Sequence, residues 1–159
     1  MRLYFLRHAH ALDAVDNEPD QKRRLSAKGL RAVSHVAKLL SALEVTPAVV
    51  YTSPRVRALQ TAEVVSAALG VDLQIRDEMD FGFDIAALKQ LIDGHDVASE
   101  LLFVGHEPTM SQVINEITGA HIQMKKSGIV RMDIHSFAPL KGDLIWLLPP
   151  KITKVLADA

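Results

Sequence analysis

The sequence predicts an α/β domain: a three-layer αβα sandwich whose central sheet is mostly parallel, with helices on both faces. Three observations carry that expectation. Short apolar runs rich in aromatic and β-branched residues alternate with longer stretches of helical spacing, which is the pattern of βαβ units. Most of those runs are apolar throughout, as in strands covered on both faces. The 159 residues contain no internal repeat, low-complexity tract or interdomain linker, so a single domain over residues 1–159 is expected.

The first strand is the run Leu3 to Leu6, too short for a helix and ending abruptly in Arg7-His8-Ala9-His10. Asp13 to Lys22 is polar, contains Pro19 and lacks periodicity, so an exposed loop is expected there. Ser26 is a candidate N-cap for a helix carrying Leu30, Val33, Val36, Ala37 and Leu40 at helical spacing, although Gly29 weakens its first turn. Ala48 to Tyr51 predicts the second strand. Ser53 is placed to cap a helix that begins at Pro54, runs to about Leu69 and stops at Gly70.

Val71 to Ile75 predicts a third strand, Arg76 to Phe83 a charged loop, and Asp84 the cap of a shorter helix through Ile92. Leu101 to Val104 predicts the fourth strand, ending at Gly105-His106-Glu107-Pro108, with a helix from Thr109 to Thr118 closed by Gly119. Ile129 to Ile134 and Leu144 to Leu148 predict two more strands, close enough in sequence to add an antiparallel member. A short helix from Pro150 closes the chain.

Composition narrows the chemistry. Charged residues make up 23% and the net charge is −1, so no global basic field points to nucleic acid. There is no cysteine, which excludes disulfides, thiolate metal sites and a cysteine nucleophile. No signal-peptide pattern and no run of membrane-spanning length is visible, so a cytoplasmic domain without a membrane partner is expected.

Three early strands each end in a polar cluster of the same kind: Arg7-His8, then Ser53-Pro54-Arg55 with Arg57, then Gly105-His106. In a parallel sheet these clusters fall along one edge, in the crevice beyond the carboxyl ends of the strands where ligands bind. Guanidinium groups there offer fixed cations for an anion, and an imidazole offers a nucleophile or base.

The order and spacing of these clusters resemble the histidine phosphatase superfamily, also called phosphoglycerate mutase-like. The matching residues are Leu6-Arg7-His8-Ala9, then Ser53-Pro54-Arg55 with Arg57-Ala58 and Gln60-Thr61-Ala62, then Gly105-His106 with Pro108. The short chain and Arg24 to Gly29 look most like the SixA-type phosphohistidine phosphatases, and the resemblance covers roughly residues 1 to 135. Two positions depart from it. Ala9 stands for the usual glycine and should still let an oxyanion approach the backbone. His10 stands where small members often carry an acid.

The resemblance implies a metal-independent phosphatase that uses no cofactor. His8 would attack phosphorus and form a phosphohistidine that water hydrolyses. Arg7, Arg55 and His106, if protonated, would hold the phosphoryl oxygens, with Ala9 lining the same site. Glu78, four residues before Gly82, is implied as proton donor, and Asp80 is its neighbouring rival. An imidazole leaves phosphorus far more easily than an alkoxide, so a phosphohistidine substrate tolerates a weak or absent acid. Only about thirty residues separate Arg76 from His106, leaving no room for a long lid. A shallow site suits phosphate carried on a protein surface.

The expected partner is therefore a phosphohistidine-bearing protein. A phosphate monoester on the same core is the alternative substrate, and a phosphate-recognition module without turnover is a further reading. A mutase is disfavoured because it needs an enclosed site. His8 and His10 invite a metal reading, but Asp13 lies too far along for the usual metallohydrolase run, so no metal site is expected. His35, His95, His121 and His135 are expected at the surface, as are the basic residues Lys22, Arg23 and Arg24. Trp146 is expected in the core.

Overall fold

The alternation of apolar runs and helical spacings produces eleven elements in the computed structural model, which describes residues 1–159. In chain order these are β1 (Arg2–Arg7), α1 (Ala27–Ala42), β2 (Val50–Thr52), α2 (Val56–Leu69), β3 (Leu73–Ile75), α3 (Ile85–Ile92), β4 (Glu100–Gly105), α4 (Thr109–Thr118), β5 (Ile129–Phe137), β6 (Leu140–Leu148) and α5 (Pro150–Ala157). Single 3₁₀ turns cover Asp20–Lys22 and Asp77–Met79. No helix is long and apolar enough to cross a membrane.

One sheet holds all six strands in the order β3-β2-β4-β1-β5-β6. Strands β1, β2, β3 and β4 are mutually parallel, and β5 runs antiparallel to both β1 and β6. The mostly parallel sheet with an antiparallel member therefore holds. The last two strands are longer than the sequence predicts. Their outer halves alternate buried and exposed residues around the Ala138–Pro139 turn, so polar His135 and Ser136 belong to a hairpin.

Alternation along the strands builds two cores. Leu3 and Phe5 of β1 join Leu101 and Phe103 of β4 under α3 and α4, with Phe5 and Phe103 stacked 5.2 Å apart. Tyr4 and Leu6 point the other way, with Leu102 and Val104, against α1 and α2. Every central strand thus buries both faces, which is why its sequence shows no polar alternation. Trp146 is half-buried beside Tyr4.

Helix α1 starts as predicted: Ser26 Oγ accepts from the Gly29 amide. Leu30 is exposed, however, and Gly29 takes the inward position. A Cβ on Gly29 would lie 2.1 Å from the His10 carbonyl oxygen, so the residue that weakens the helix is what lets α1 reach the end of β1. Ser53 is not a helix cap. The N-cap of α2 is Arg55, without a side-chain bond of its own; the Ser53 hydroxyl accepts from the Arg55 amide at 3.3 Å, ahead of the helix, and also meets His106 Nε2. His95 is not a free surface residue, since its Nε2 lies 2.9 Å from the Tyr51 hydroxyl.

Candidate active site

Strands β2, β4 and β1 are neighbours, and backbone hydrogen bonds hold their carboxyl ends level. The register pairs Arg7 with Gly105 and Thr52 with Val104. One residue further on, the His8 amide donates to Gly105 O at 3.0 Å and the Ser53 amide to Val104 O at 3.2 Å. The three polar clusters therefore emerge side by side.

His8 is buried, with 7% of its surface exposed. Its Nδ1 lies 2.8 Å from the Ala9 carbonyl oxygen, which can only accept, so the proton sits on Nδ1 and Nε2 carries the bare lone pair. Burial lowers the His8 pKa to about 3. The Ala9 bond works against that shift, and the charges of His106, Arg57 and Arg7 add to it. The neighbouring arginines are thus secondary to burial in keeping the imidazole neutral.

His106 lies beside it, ring centroids 5.2 Å apart and 2% exposed. Burial, reinforced by Arg57 and Arg55 and opposed by Asp80, lowers its pKa to about 4. At neutral pH His106 in the free protein is a neutral ring. Its Nε2 lies 2.8 Å from Ser53 Oγ, leaving Nδ1 without a protein partner.

Arg55 donates through Nε to Asp80 Oδ1 and through Nη1 to Asp20 Oδ2 at 2.8 Å. Its guanidinium lies over the Phe81 ring, 3.7 Å from the centroid. Arg57 donates to the same Asp20 oxygen at 3.1 Å and to the Asp20 carbonyl at 3.0 Å, and its Nε–H points at His8 Nε2 across 3.4 Å. Arg7 donates through Nη1 to Met124 O at 2.8 Å, and its buried Nε has no protein partner. Three guanidiniums, two imidazoles and two carboxylates thus share one crevice.

The structure brings together Arg7, His8, Arg55 and His106, through direct contacts or shared neighbours. It does not bring Glu78 to them. The Glu78 carboxylate is taken up by Arg76, with Oε1 at 2.9 Å, and that hydrogen bond holds it below the usual carboxylate range, the wrong direction for a proton donor at neutral pH. Asp80 is the one that reaches the crevice, 3.8 Å from His106 Nε2 as well as bonded to Arg55.

The surroundings of Ala9 also correct its expected substrate contact. Ala9 is fully buried, its amide donates to Thr61 Oγ1 at 3.0 Å and its carbonyl accepts from His8. The residue orients the imidazole and has no free amide for an oxyanion. His10 is structural too: Nδ1 lies 2.8 Å from Ser26 Oγ, and its carbonyl accepts from the Ser26 amide. No group of three His, Asp or Glu side chains is gathered to hold a metal ion.

Two contributors carry no signal in the sequence. Asp20 sits in the polar loop before α1, where the 3₁₀ turn folds it back over Arg55 and Arg57, while Arg23 Nη1 donates to its other oxygen at 3.1 Å. Burial opposes the charge on Asp20, but bonds from Arg23 and Arg57 hold its carboxyl below the usual range. Phe81 lies in the charged loop after β3. It meets His106 edge-on at 4.9 Å between centroids, yet is half exposed. The crevice is therefore flanked by the loop ahead of α1 and by the loop after β3. A cavity of about 480 Å³ lined by Met1, Ile92, His95 and Phe137 lies at the amino ends of the parallel strands, and a larger one of about 550 Å³ is lined by Lys22, Arg24 and Gln60.

Comparison with known proteins is consistent with this geometry. Residues 3–83 match the model of the histidine phosphatase superfamily, branch 1. An uncharacterized protein of Picosynechococcus sp. is 34% identical over 137 residues, covering 82% of this chain and 83% of its own. Among solved structures, a protein from Agrobacterium tumefaciens assigned as phosphohistidine phosphatase SixA superimposes with a TM-score of 0.79 at 26% identity, over 94% of this chain and 97% of that one. Protein histidine phosphatase SixA complexed with tungstate superimposes with a TM-score of 0.82 at 23% identity, over 95% and 98%. A protein from Escherichia coli K-12 assigned as an α-ribazole-5'-P phosphatase gives 0.74 at 19% identity, over 96% and 98%, which is a likeness of fold.

Proposed function

The chain belongs to branch 1 of the histidine phosphatase superfamily, and from that premise we propose that it hydrolyses phosphohistidine on a partner protein, with His8 as nucleophile and without a metal. The observation that carries this reading is the state of His8. A buried imidazole holds its proton on Nδ1 and keeps a bare Nε2 among three guanidiniums. Binding an anion needs only the cations. A nucleophile needs the lone pair as well.

In the first step the Nε2 lone pair attacks phosphorus and the bond from phosphorus to the leaving atom breaks. Its electron pair departs with the leaving group, which takes a proton from solvent. Arg55, Arg57 and the free Nε of Arg7 hold the equatorial oxygens, so negative charge is met by fixed cations as the group transfers. Water then attacks the phosphohistidine. The phosphorus–nitrogen bond breaks back to Nε2, the water gives a proton to solvent, and orthophosphate leaves.

The preference for phosphohistidine over an alkyl monoester follows from the carboxylates. Of the two donors that the sequence offers, Glu78 is held by Arg76 and Asp80 by Arg55. Neither stands free to protonate an alkoxide. A leaving imidazole needs no such help. The relative from Agrobacterium tumefaciens, assigned to this activity at 26% identity, supports the same choice.

The test is to incubate the protein, with chelator present, with a phosphohistidine-bearing carrier protein and separately with an alkyl phosphate monoester. Faster turnover of the phosphohistidine, with an acid-labile phosphoryl adduct on His8, is expected. Turnover that survives His8→Ala, or that stops when metal is chelated, would sink the reading. Binding of phosphoprotein with no turnover would make it a recognition module.

A further inference from the structure

We infer that Phe81 is a specificity-determining residue, a ring platform that favours phosphoryl groups carried on a flat, unsaturated leaving group such as imidazole. The inference rests on the phosphatase reading above and extends it to the far side of the phosphorus atom. In an in-line displacement the leaving group lies opposite the attacking atom. His8 is only 7% exposed, so the leaving group of anything that Nε2 attacks has to point toward solvent, through the mouth of the crevice.

Three side chains at that mouth contact the site and reach solvent: Asp20, Asp80 and Phe81. The two carboxylates are spent on arginines. Phe81 is the apolar one, 50% exposed, with one face under the Arg55 guanidinium and its ring meeting His106 edge-on. Scattered exposed apolar residues are ordinary on a protein surface. This one is fixed by two residues of the anion site and leaves half its surface beside the exit path. A planar ring departing there can stack or pack edge-to-face on an aromatic surface, whereas a saturated chain passing the same surface gains apolar contact alone.

Phosphonates separate this from a mere support of Arg55, because their phosphorus–carbon bond does not turn over. Affinities for phenylphosphonate, cyclohexylphosphonate, methylphosphonate and inorganic phosphate are compared in the unmodified protein, Phe81→Leu and Phe81→Ala. The unmodified protein should prefer phenyl over cyclohexyl by about three- to tenfold. Both variants should lose that preference, with phenylphosphonate weakened about three- to tenfold more than inorganic phosphate and methylphosphonate. If all four anions weaken together in the variants, Phe81 only positions Arg55 and the inference is overturned. Equal affinities for phenyl and cyclohexyl in the unmodified protein also overturn it. A retained phenyl preference in a protein that turns over no phosphohistidine would remove the catalytic reading and leave the platform standing. Failure to bind any of the four removes both.

Discussion

The Nε–H of Arg57 is aimed at Nε2 of His8 across 3.4 Å, at the lone pair that the proposed chemistry uses. A guanidinium cannot be deprotonated at neutral pH, so this contact guarantees that Nε2 bears no proton. When phosphorus takes the lone pair, Arg57 is already beside the transferring group.

Arg57 is therefore expected to matter as much as Arg55. Arg57→Ala should lower kcat/KM by about 10²-fold or more, as the loss of an oxyanion donor does. Arg57→Lys should recover part of it, since it keeps the charge and loses the fork. Steady-state rates on a phosphohistidine substrate check this, and a loss below fivefold would assign Arg57 to loop anchoring alone.

The buried imidazoles fix a pH signature. His8 and His106 have folded pKa values of about 3 and about 4, below the ordinary histidine value. Between those values and about 6.5 the unfolded chain binds more protons, so stability rises with pH there. Their contribution is complete above about pH 6.5 and is lost as pH falls through about 4 and then about 3. Thermal midpoints measured against pH should fall on acidification, and less steeply in His106→Gln over the upper part of that window. By the same sign, kcat/KM should show no loss from His8 protonation between about pH 5 and 8. An acid limb near pH 6.5 that vanished in a His106 variant would contradict the buried neutral ring.

Asp20 predicts tighter anion binding on its removal. One of its oxygens accepts from both Arg55 and Arg57, the geometry that a phosphoryl oxygen would adopt. Its side chain is 47% exposed, so solvent screens the pairing and the contact is modest. Asp20→Asn should tighten the inhibition by inorganic phosphate by about threefold, more at low salt than at high. Weaker binding would mean that Asp20 holds the arginines in a productive posture.

The sequence makes the strand ends legible because the residues there break an apolar run with charge, and the parallel sheet does the rest. Arg7, His8, Arg55 and His106 converge for that reason. Asp20 is illegible because nothing local marks which of several acids in a polar loop folds back 35 residues onto Arg55. The Ser53 hydroxyl looks like a cap because serine before proline usually is one. It does bond the Arg55 amide locally, but it also meets His106, and α2 starts only at Val56. Glu78 and Asp80 are two residues apart in a loop, and only the backbone path decides which one reaches the crevice.

Gly29 gives a prediction about stability alone. A methyl group there would meet the backbone of His10, which cannot move without disturbing Ser26 and the end of β1. Gly29→Ala should cost about 1–3 kcal/mol despite alanine's better helix propensity. For a chain of this size that lowers the melting midpoint by about 2–12 °C. Gly82→Ala, where a Cβ meets nothing within 4 Å, is the control and should stay close to the unmodified protein.

The acidic residues Glu78 and Asp80 of the loop after β3 differ in what their loss should do. If the leaving group needs no acid, Glu78→Gln should leave kcat on phosphohistidine within about twofold, since the side chain engages only Arg76. Asp80→Asn removes the charge that holds Arg55 Nε and faces His106 at 3.8 Å. It should lower kcat/KM by about tenfold, and by the same factor for phosphohistidine and for an alkyl monoester, because the defect lies in the anion clamp shared by both. A proton donor would behave differently. Its loss would slow the alkyl monoester much more than the phosphohistidine, because only the alkoxide needs the proton in the transition state. The ratio of the two losses in Asp80→Asn is thus the measurement that decides: a ratio near one leaves Asp80 as the residue that orients Arg55, and a ratio above about ten makes it the general acid.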